Sequence, residues 1–281
     1  MGIASALIGV FSFASSFSLI ASFLLMLILP LLSSLVALIC KWRYLPLFIL
    51  SSVAISTLFS FASFQNEILF VVPSILIGVA YGMLMRSKLG VSLNLFILCL
   101  IEFGFFYLSI ALIRFFYEID MIEVLLRLAG RNIDAITSAI FPTFVFGYGC
   151  AQVAILHMMH LLIFSRFGFS PSKDFLKPFY WAIGLVFIVA SVILAFVFPL
   201  LAYLFLAISC FWSCFALIKI FEKPKPIPII LLIIGLFLTF IIAGLLYRYM
   251  PPATGLILYG VIFVFANISS FLNDILLRKK K

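Results

Sequence analysis

Charge is scarce in this chain. Asp, Glu, Lys and Arg make up only 10% of its 281 residues, against about a quarter in a soluble domain. Apolar residues make up 67%; a water-soluble core has no room for so much apolar surface, whereas hydrocarbon accepts it. Recognisable chemistry is scarce as well. The sequence has no Walker A run, no GxSxG, no HExxH and no repeated Asp motif, so phosphate-cradling, nucleophile-elbow and zinc-hydrolase chemistry lack support. An Arg-repeat voltage sensor and a TVGYG filter are also missing. Cys40, Cys99, Cys150, Cys210 and Cys214 all lie in apolar stretches, where a thiol behaves as a small hydrophobe. Cys210 and Cys214 share a helix face but lack the CxxC spacing of redox and zinc sites. The expectation is a non-enzymatic protein with no catalytic residue, metal or cofactor.

What is present is a row of apolar segments divided by short basic clusters. A spanning helix needs about 20 mostly apolar residues. Residues 44–64, 68–85, 89–113, 139–164, 179–198, 200–219, 228–247 and 255–273 fit that requirement. Residues 2–40 as one helix would be about 60 Å long, twice the hydrocarbon thickness. Ser12, Ser15, Ser16 and Ser18, with Pro30 beyond them, favour two helices joined by a turn near Ser15–Ser18. The fold class is therefore an all-α, polytopic transmembrane bundle of ten spans, with nine as the alternative. No positively charged leader precedes the first apolar run, so the first helices are expected to belong to the mature protein.

The net charge of +9 reads as orientation rather than nucleic-acid binding, because the cations sit at segment junctions. Fourteen fall in one alternating set: Lys41/Arg43, Arg86/Lys88, Arg166/Lys173/Lys177, Lys219/Lys223/Lys225 and Arg278/Lys279/Lys280/Lys281. The other set holds Arg114, Arg127, Arg131 and Arg248. The positive-inside rule places the richer set, and the C-terminus, in the cytoplasm. Pro199 marks a tight external hairpin, and the Glu222–Pro228 segment reads as a stiff, non-helical cytoplasmic linker. Pro251-Pro252 with Thr254-Gly255 makes the last external turn. Residues 115–138 break the short-loop pattern. Ile119, Ile122, Leu126, Ala129, Ile133 and Ile136 recur at helical spacing opposite Asp120, Glu123, Arg127, Arg131 and Asp134. This predicts an external amphipathic helix, kinked at Gly130, that either lies on the outer surface or covers a cavity. Two bundles are expected, 1–165 including that helix and 166–281 with four spans, or one integrated membrane domain.

Polar residues within the spans are the candidate site. Glu102 lies midway along 89–113, where an ionised carboxylate costs roughly 2.5 kcal/mol or more. Such an acid either marks a solute, ion or proton path or bonds to a neighbouring helix. His157 and His160 share one face of 139–164, with Gln152 a turn earlier. They suit solute contacts or a proton relay, or equally interhelical hydrogen bonds. Asn94 and Asn267 more often join helices than bind ligand. Gly78/Gly82 and Gly147/Ala151 carry small-residue spacing for close helix packing, and Gly2/Ala6 and Ser5/Gly9 line the first helix where a membrane partner subunit could dock.

Several of these features resemble the YybS-like family (DUF2232) of bacterial membrane proteins. They are Leu29-Pro30 before a basic turn, and the run Pro73-Ser-Ile-Leu-Ile-Gly78-Val-Ala-Tyr-Gly82-Met-Leu-Met-Arg86-Ser-Lys88. The external 118–137 helix, Arg166-Phe-Gly168 with Pro171, the Phe175–Trp181 aromatic run, and Asn273-Asp274 before Arg278 complete the set. The resemblance implies a bacterial inner-membrane protein whose N-terminal half is similar to the substrate-binding S components of energy-coupling-factor transporters. It implies a small solute captured from outside, and a separate coupling subunit and ATPase that dock on small residues of the first helix, here Ala4, Ala6 and Gly9. A membrane scaffold and a proton- or ion-coupled carrier are the competing functions.

Overall fold

The computed structural model describes residues 1–15, 19–59, 65, 67–87, 89–128, 135–164, 174–222, 224–246 and 260–278. The expected turn at residues 16–18, Gly130, the Arg166–Lys173 loop, the Pro251–Gly255 turn and the tail beyond Arg278 lie outside them. The described residues form eleven α-helices and no strand. In chain order these are α1 (Gly2–Ser15), α2 (Leu19–Ile39), α3 (Leu45–Phe59), α4 (Val72–Met85), α5 (Val91–Tyr117) and α6 (Met121–Leu128). They continue with α7 (Ala135–Phe164), α8 (Tyr180–Leu194), α9 (Pro199–Glu222), α10 (Pro226–Leu246) and α11 (Val261–Arg278). Six helical stretches are long and apolar enough to cross a membrane: Trp42–Phe59, Glu67–Met85, Val91–Tyr117, Phe141–Ile163, Lys177–Leu194 and Leu200–Glu222. Four shorter apolar helices accompany them, Gly2–Ala14, Met26–Ile39, Pro226–Ile242 and Val261–Leu277.

Polarity is arranged as hydrocarbon demands. Leu47, Leu50, Val186, Phe196, Phe237 and Phe240 are exposed, while fourteen of the described serines are buried. Lipid solvates the first group, and helix neighbours must bond the second, because hydrocarbon offers no hydrogen bonds. The chain is a multi-pass membrane protein.

Two compact units result, Met1–Gly130 with Tyr148–Lys173, and Arg131–Gly147 with Asp174–Lys281. In the first, α2 lies along α4, and α1 along α3. Ile8, Leu29, Val36, Ala37, Leu45, Phe48, Val71, Ile75 and Val79 form its core. Gly78 and Gly82 allow the α2–α4 approach. A Cβ at Gly78 would lie 2.7 Å from both Pro30 Cα and Ser33 Cβ, and one at Gly82 would lie 2.6 Å from Ala37 Cβ. In the second unit α8 packs on α9, and α11 packs on α8, α9 and α10.

Proline positions correct one expectation. The two helices expected on either side of Ser15–Ser18 are α1 and α2, and Pro30 sits inside α2. Pro226 and Pro228 do not hold their segment open; they lie in the first turn of α10, where a missing N–H leaves no helical bond unmade. Pro199 opens α9, and the turn precedes it: Phe198 N–H donates to Leu194 O (2.7 Å) and Ser191 Oγ donates to Ala202 O (2.8 Å). Pro73 follows one π-helical turn, Glu67–Val71, consistent with its lost N–H at the start of α4.

The external amphipathic helix starts later than residue 115 and is followed to Leu128, beyond which 129–134 lie outside the described residues. α5 runs to Tyr117 and stops at Glu118, whose φ of 56° is left-handed and whose N–H bonds Arg114 O. Asp120 then caps α6, its Oδ1 accepting from the N–H groups of Ile122 (3.1 Å) and Glu123 (3.2 Å). Ile136 belongs to α7. The apolar spacing was read across a left-handed stop and an Asp cap, each of which restarts the helix.

Candidate functional site

α5 turns Leu95, Leu98, Cys99, Glu102, Ser109 and Ile113 inward at helical spacing. Glu102 is 5% exposed, and Gly149 of α7 lies beside it. A Cβ built at Gly149 would be 3.5 Å from Glu102 Cγ and 3.7 Å from Cys99 O, so the carboxyl-bearing chain rests on the α7 backbone. Cys99 and Cys150 thiols pair next to it. Among the described residues Glu102 Oε2 has no hydrogen-bond partner. A buried carboxyl oxygen without a partner is unusual and calls for a ligand, a water or an ion.

One turn further along α7, Gln152 donates from Nε2 to Met26 O (3.1 Å), while its Oε1 lacks a partner among the described residues. The reason for the first bond lies in α2. Met26 O is the carbonyl that residue 30 would bond in a regular helix, and Pro30 has no N–H. Gln152 supplies the missing donor. Tyr148 also reaches α2, its hydroxyl donating to Met26 Sδ (3.1 Å).

The histidines occupy the far end of the same seam. His157 Nδ1 bonds the Tyr81 hydroxyl (2.9 Å). His160 Nδ1 donates to Leu156 O (2.8 Å), and its Nε2 meets the Ser34 hydroxyl, whose single proton is shared between that nitrogen and Leu31 O (2.8 Å). The Tyr81 ring stacks at 4.2 Å from that of His160. The Gly78/Gly82 approach makes this possible, since it brings Tyr81 of α4 and Ser34 of α2 together beneath α7. Gly149 and His160 are eleven residues apart, about 16 Å along the helix. Glu102 and the histidines therefore line one seam and do not share one pocket.

Two sets of expected residues are placed differently. Gly147 and Ala151 are exposed, and no described atom lies within 4 Å of a Cβ at Gly147; the buried small residue is Gly149, because Glu102 and Gln152 fix the α7 face that turns inward. The trio Ala4, Ala6 and Gly9 does not form one docking face. Gly9 packs under Ile55, whose Cγ2 would lie 2.5 Å from an added Cβ, Ala4 packs on the core of its unit, and only Ala6 is exposed. The two-residue step from Ala4 to Ala6 turns the helix by about 200° and sets those positions on opposite faces.

Asn94 braces the α4–α5 turn, donating to Leu84 O (2.9 Å) and Leu89 O (3.2 Å). In the second unit Asn267 donates to Ser213 Oγ (2.8 Å) and Phe263 O (2.7 Å). Lys219, one of the cations of the richer junction set, pairs with Asp274 at 2.6 Å.

Glu67 was missed. It is 1% exposed and accepts from Ser12 Oγ of α1 (2.6 Å) and Ser56 Oγ of α3 (2.9 Å). It sits between the apolar runs 44–64 and 68–85, a position that by itself gives no sign of burial. The available signal was the serine pairs Ser5/Ser12 and Ser52/Ser56, whose helical spacing marks inward faces with hydroxyls to offer.

An apolar exterior around buried, bonded polar seams defines a polytopic helical membrane protein. Comparison with protein-family models, with curated proteins and with solved structures finds no match for this chain.

Proposed function

We propose that this is a transport-associated protein of the bacterial cytoplasmic membrane, with its C-terminus inside, that binds a small polar solute at the Glu102 end of the α5–α7 seam. Glu102 Oε2, buried without a hydrogen-bond partner among the described residues, carries the reading. Gln152 Oε1, on α7 one turn beyond Gly149 and also without a partner among the described residues, supplies a second polar atom, and the two together favour a solute with donors to offer. The chain has no nucleotide-binding motif; energy, where it is needed at all, comes from other chains, such as a coupling subunit and an ATPase. α6 serves as a cover on the outer side. Membership of the YybS-like group belongs to this proposal, on the short motifs within 73–88, 166–181 and 273–278.

The test is thermal stabilisation of purified protein in nanodiscs by a panel of small polar solutes. A stabilising solute should lose its effect in Glu102→Gln and weaken in Gln152→Leu. Stabilisation that both variants retain in full removes the seam from the proposal.

A second reading, a proton-coupled carrier, rests on a different observation. Ser34 faces His160 and Tyr81 bonds His157, and the Tyr81–His160 ring contact sets these two hydroxyl–imidazole pairs side by side, groups suited to proton exchange. Uptake into vesicles that ignores an imposed pH gradient counts against it.

A further inference from the structure

The turn between α2 and α3 forms a cationic hollow with no role in the seam. Its volume is about 590 Å³, and Ile39, Cys40, Lys41, Trp42, Arg43, Tyr44 and Arg86 line it. Three of these seven carry positive charge and none carries negative charge. Lys41 and Arg43 are exposed, and neither has a side-chain partner among the described residues. Arg86 is held in place, because its Nε and Nη2 both donate to Leu38 O. That uses two of a guanidinium's five N–H donors and leaves three for a ligand. The backbone adds to the field. Lys41 is extended, with φ −65° and ψ 140°, and a 3₁₀ turn, Trp42–Tyr44, leads directly into α3. The hollow is therefore floored by the N-terminal end of a membrane-crossing helix, where free N–H groups favour an anion.

The surroundings select the source of that anion. Trp42 is 68% exposed and Tyr44 54% exposed; large amphipathic rings in this position belong at the level of lipid headgroups. Ile39, which also lines the hollow, is exposed and offers an apolar wall to acyl chain rather than to water. A soluble phosphate would use the cations and leave both rings and Ile39 without purpose.

We propose that this hollow binds the phosphate headgroup of an anionic phospholipid. Lys41 and Arg43 supply charge, Arg86 supplies directed N–H donors, and Trp42 and Tyr44 fix the depth of the headgroup. The bound lipid clamps the end of α2 to the start of α3, beside the carbonyl that Arg86 already caps.

Native mass spectrometry of detergent-purified full chain, titrated with phosphatidylglycerol, tests this. The wild type should retain phosphatidylglycerol in preference to phosphatidylcholine. Lys41→Gln/Arg43→Gln should weaken the tightest binding roughly thirtyfold, since each of the two basic residues near a lipid surface contributes about 1 kcal/mol. The charge-keeping swap Lys41→Arg/Arg43→Lys should bind like wild type, which separates charge from folding defects. Lys280→Gln/Lys281→Gln, an equal charge change in the tail, should leave the tightest lipid in place. Equal loss in the tail variant would mean diffuse attraction and overturn the site. Equal retention of phosphatidylcholine, or displacement of the lipid by inorganic phosphate, would overturn its assignment to anionic phospholipid.

Discussion

Gln152 on α7 donates its side-chain amide to Met26 O on α2, the carbonyl that Pro30 deprives of its helical partner. The two residues are 126 positions apart, and the bond explains why a proline persists inside α2 without ending it.

This relationship predicts a compensating pair. Gln152→Leu alone should destabilise by about 1–3 kcal/mol, the usual penalty for a buried group left without its partner. Adding Pro30→Ala restores an N–H to residue 30, and the double variant should recover most of the loss. Unfolding in mixed micelles across the double-mutant cycle measures the coupling; additive losses would show that Gln152 does not serve the Pro30 gap.

Close packing at the α2–α4 contact gives a sharper steric test. Gly78→Ala and Gly82→Ala each force a methyl against backbone or Cβ atoms at about 2.7 Å, and each should cost roughly 1–3 kcal/mol. Gly104→Ala meets no atom within 4 Å and should be neutral or slightly stabilising, since alanine is the better helix former. Thermal melting of the three variants in one detergent decides it. The same two glycine variants should also disturb the Tyr81–His160 stacking, because they push α4 away from α2.

Glu67 offers a test of the carboxylate that junction reasoning overlooked. Glu67→Ala leaves Ser12 and Ser56 facing a void and should destabilise by about 1–3 kcal/mol. Glu67→Gln keeps one acceptor and most of the volume, so its loss should be smaller. Equal losses would mean that volume alone matters at this position.

Two ion pairs of the second unit should behave oppositely. Lys219 and Asp274 are only 13% and 14% exposed in their side chains, so Lys219→Met alone strands a carboxylate and should cost about 3–5 kcal/mol. Lys219→Met with Asp274→Leu should regain much of that. Lys177 and Glu222 are 42% and 48% exposed, and Lys177→Met should change stability by about 0–1 kcal/mol. Raised salt should abolish the second effect and spare the first.

Composition and spacing made the solvent and the helices legible. Long apolar runs and basic junctions identify hydrocarbon as the surroundings, and Glu102, Gln152, His157 and His160 stood out because polarity inside a span is rare. The facing of each helix was less legible. On α7 the polar positions carried the signal: Gly149, Gln152, Leu156 and His160 follow one another at helical spacing and turn inward, whereas small-residue spacing alone pointed to Gly147. Glu67 and Lys219 lie near segment ends, where water and a protein partner are equally good solvents on paper.

Sequence by itself determined that this protein is an all-helical, multi-pass membrane chain, because transfer of side chains into lipid depends on their number and order alone. Tertiary structure decided which polar groups are satisfied, which small residues touch, and where a proline can sit. Those outcomes depend on donors and surfaces brought from more than a hundred residues away, as Gln152 is brought to Met26, and no local pattern encodes that meeting.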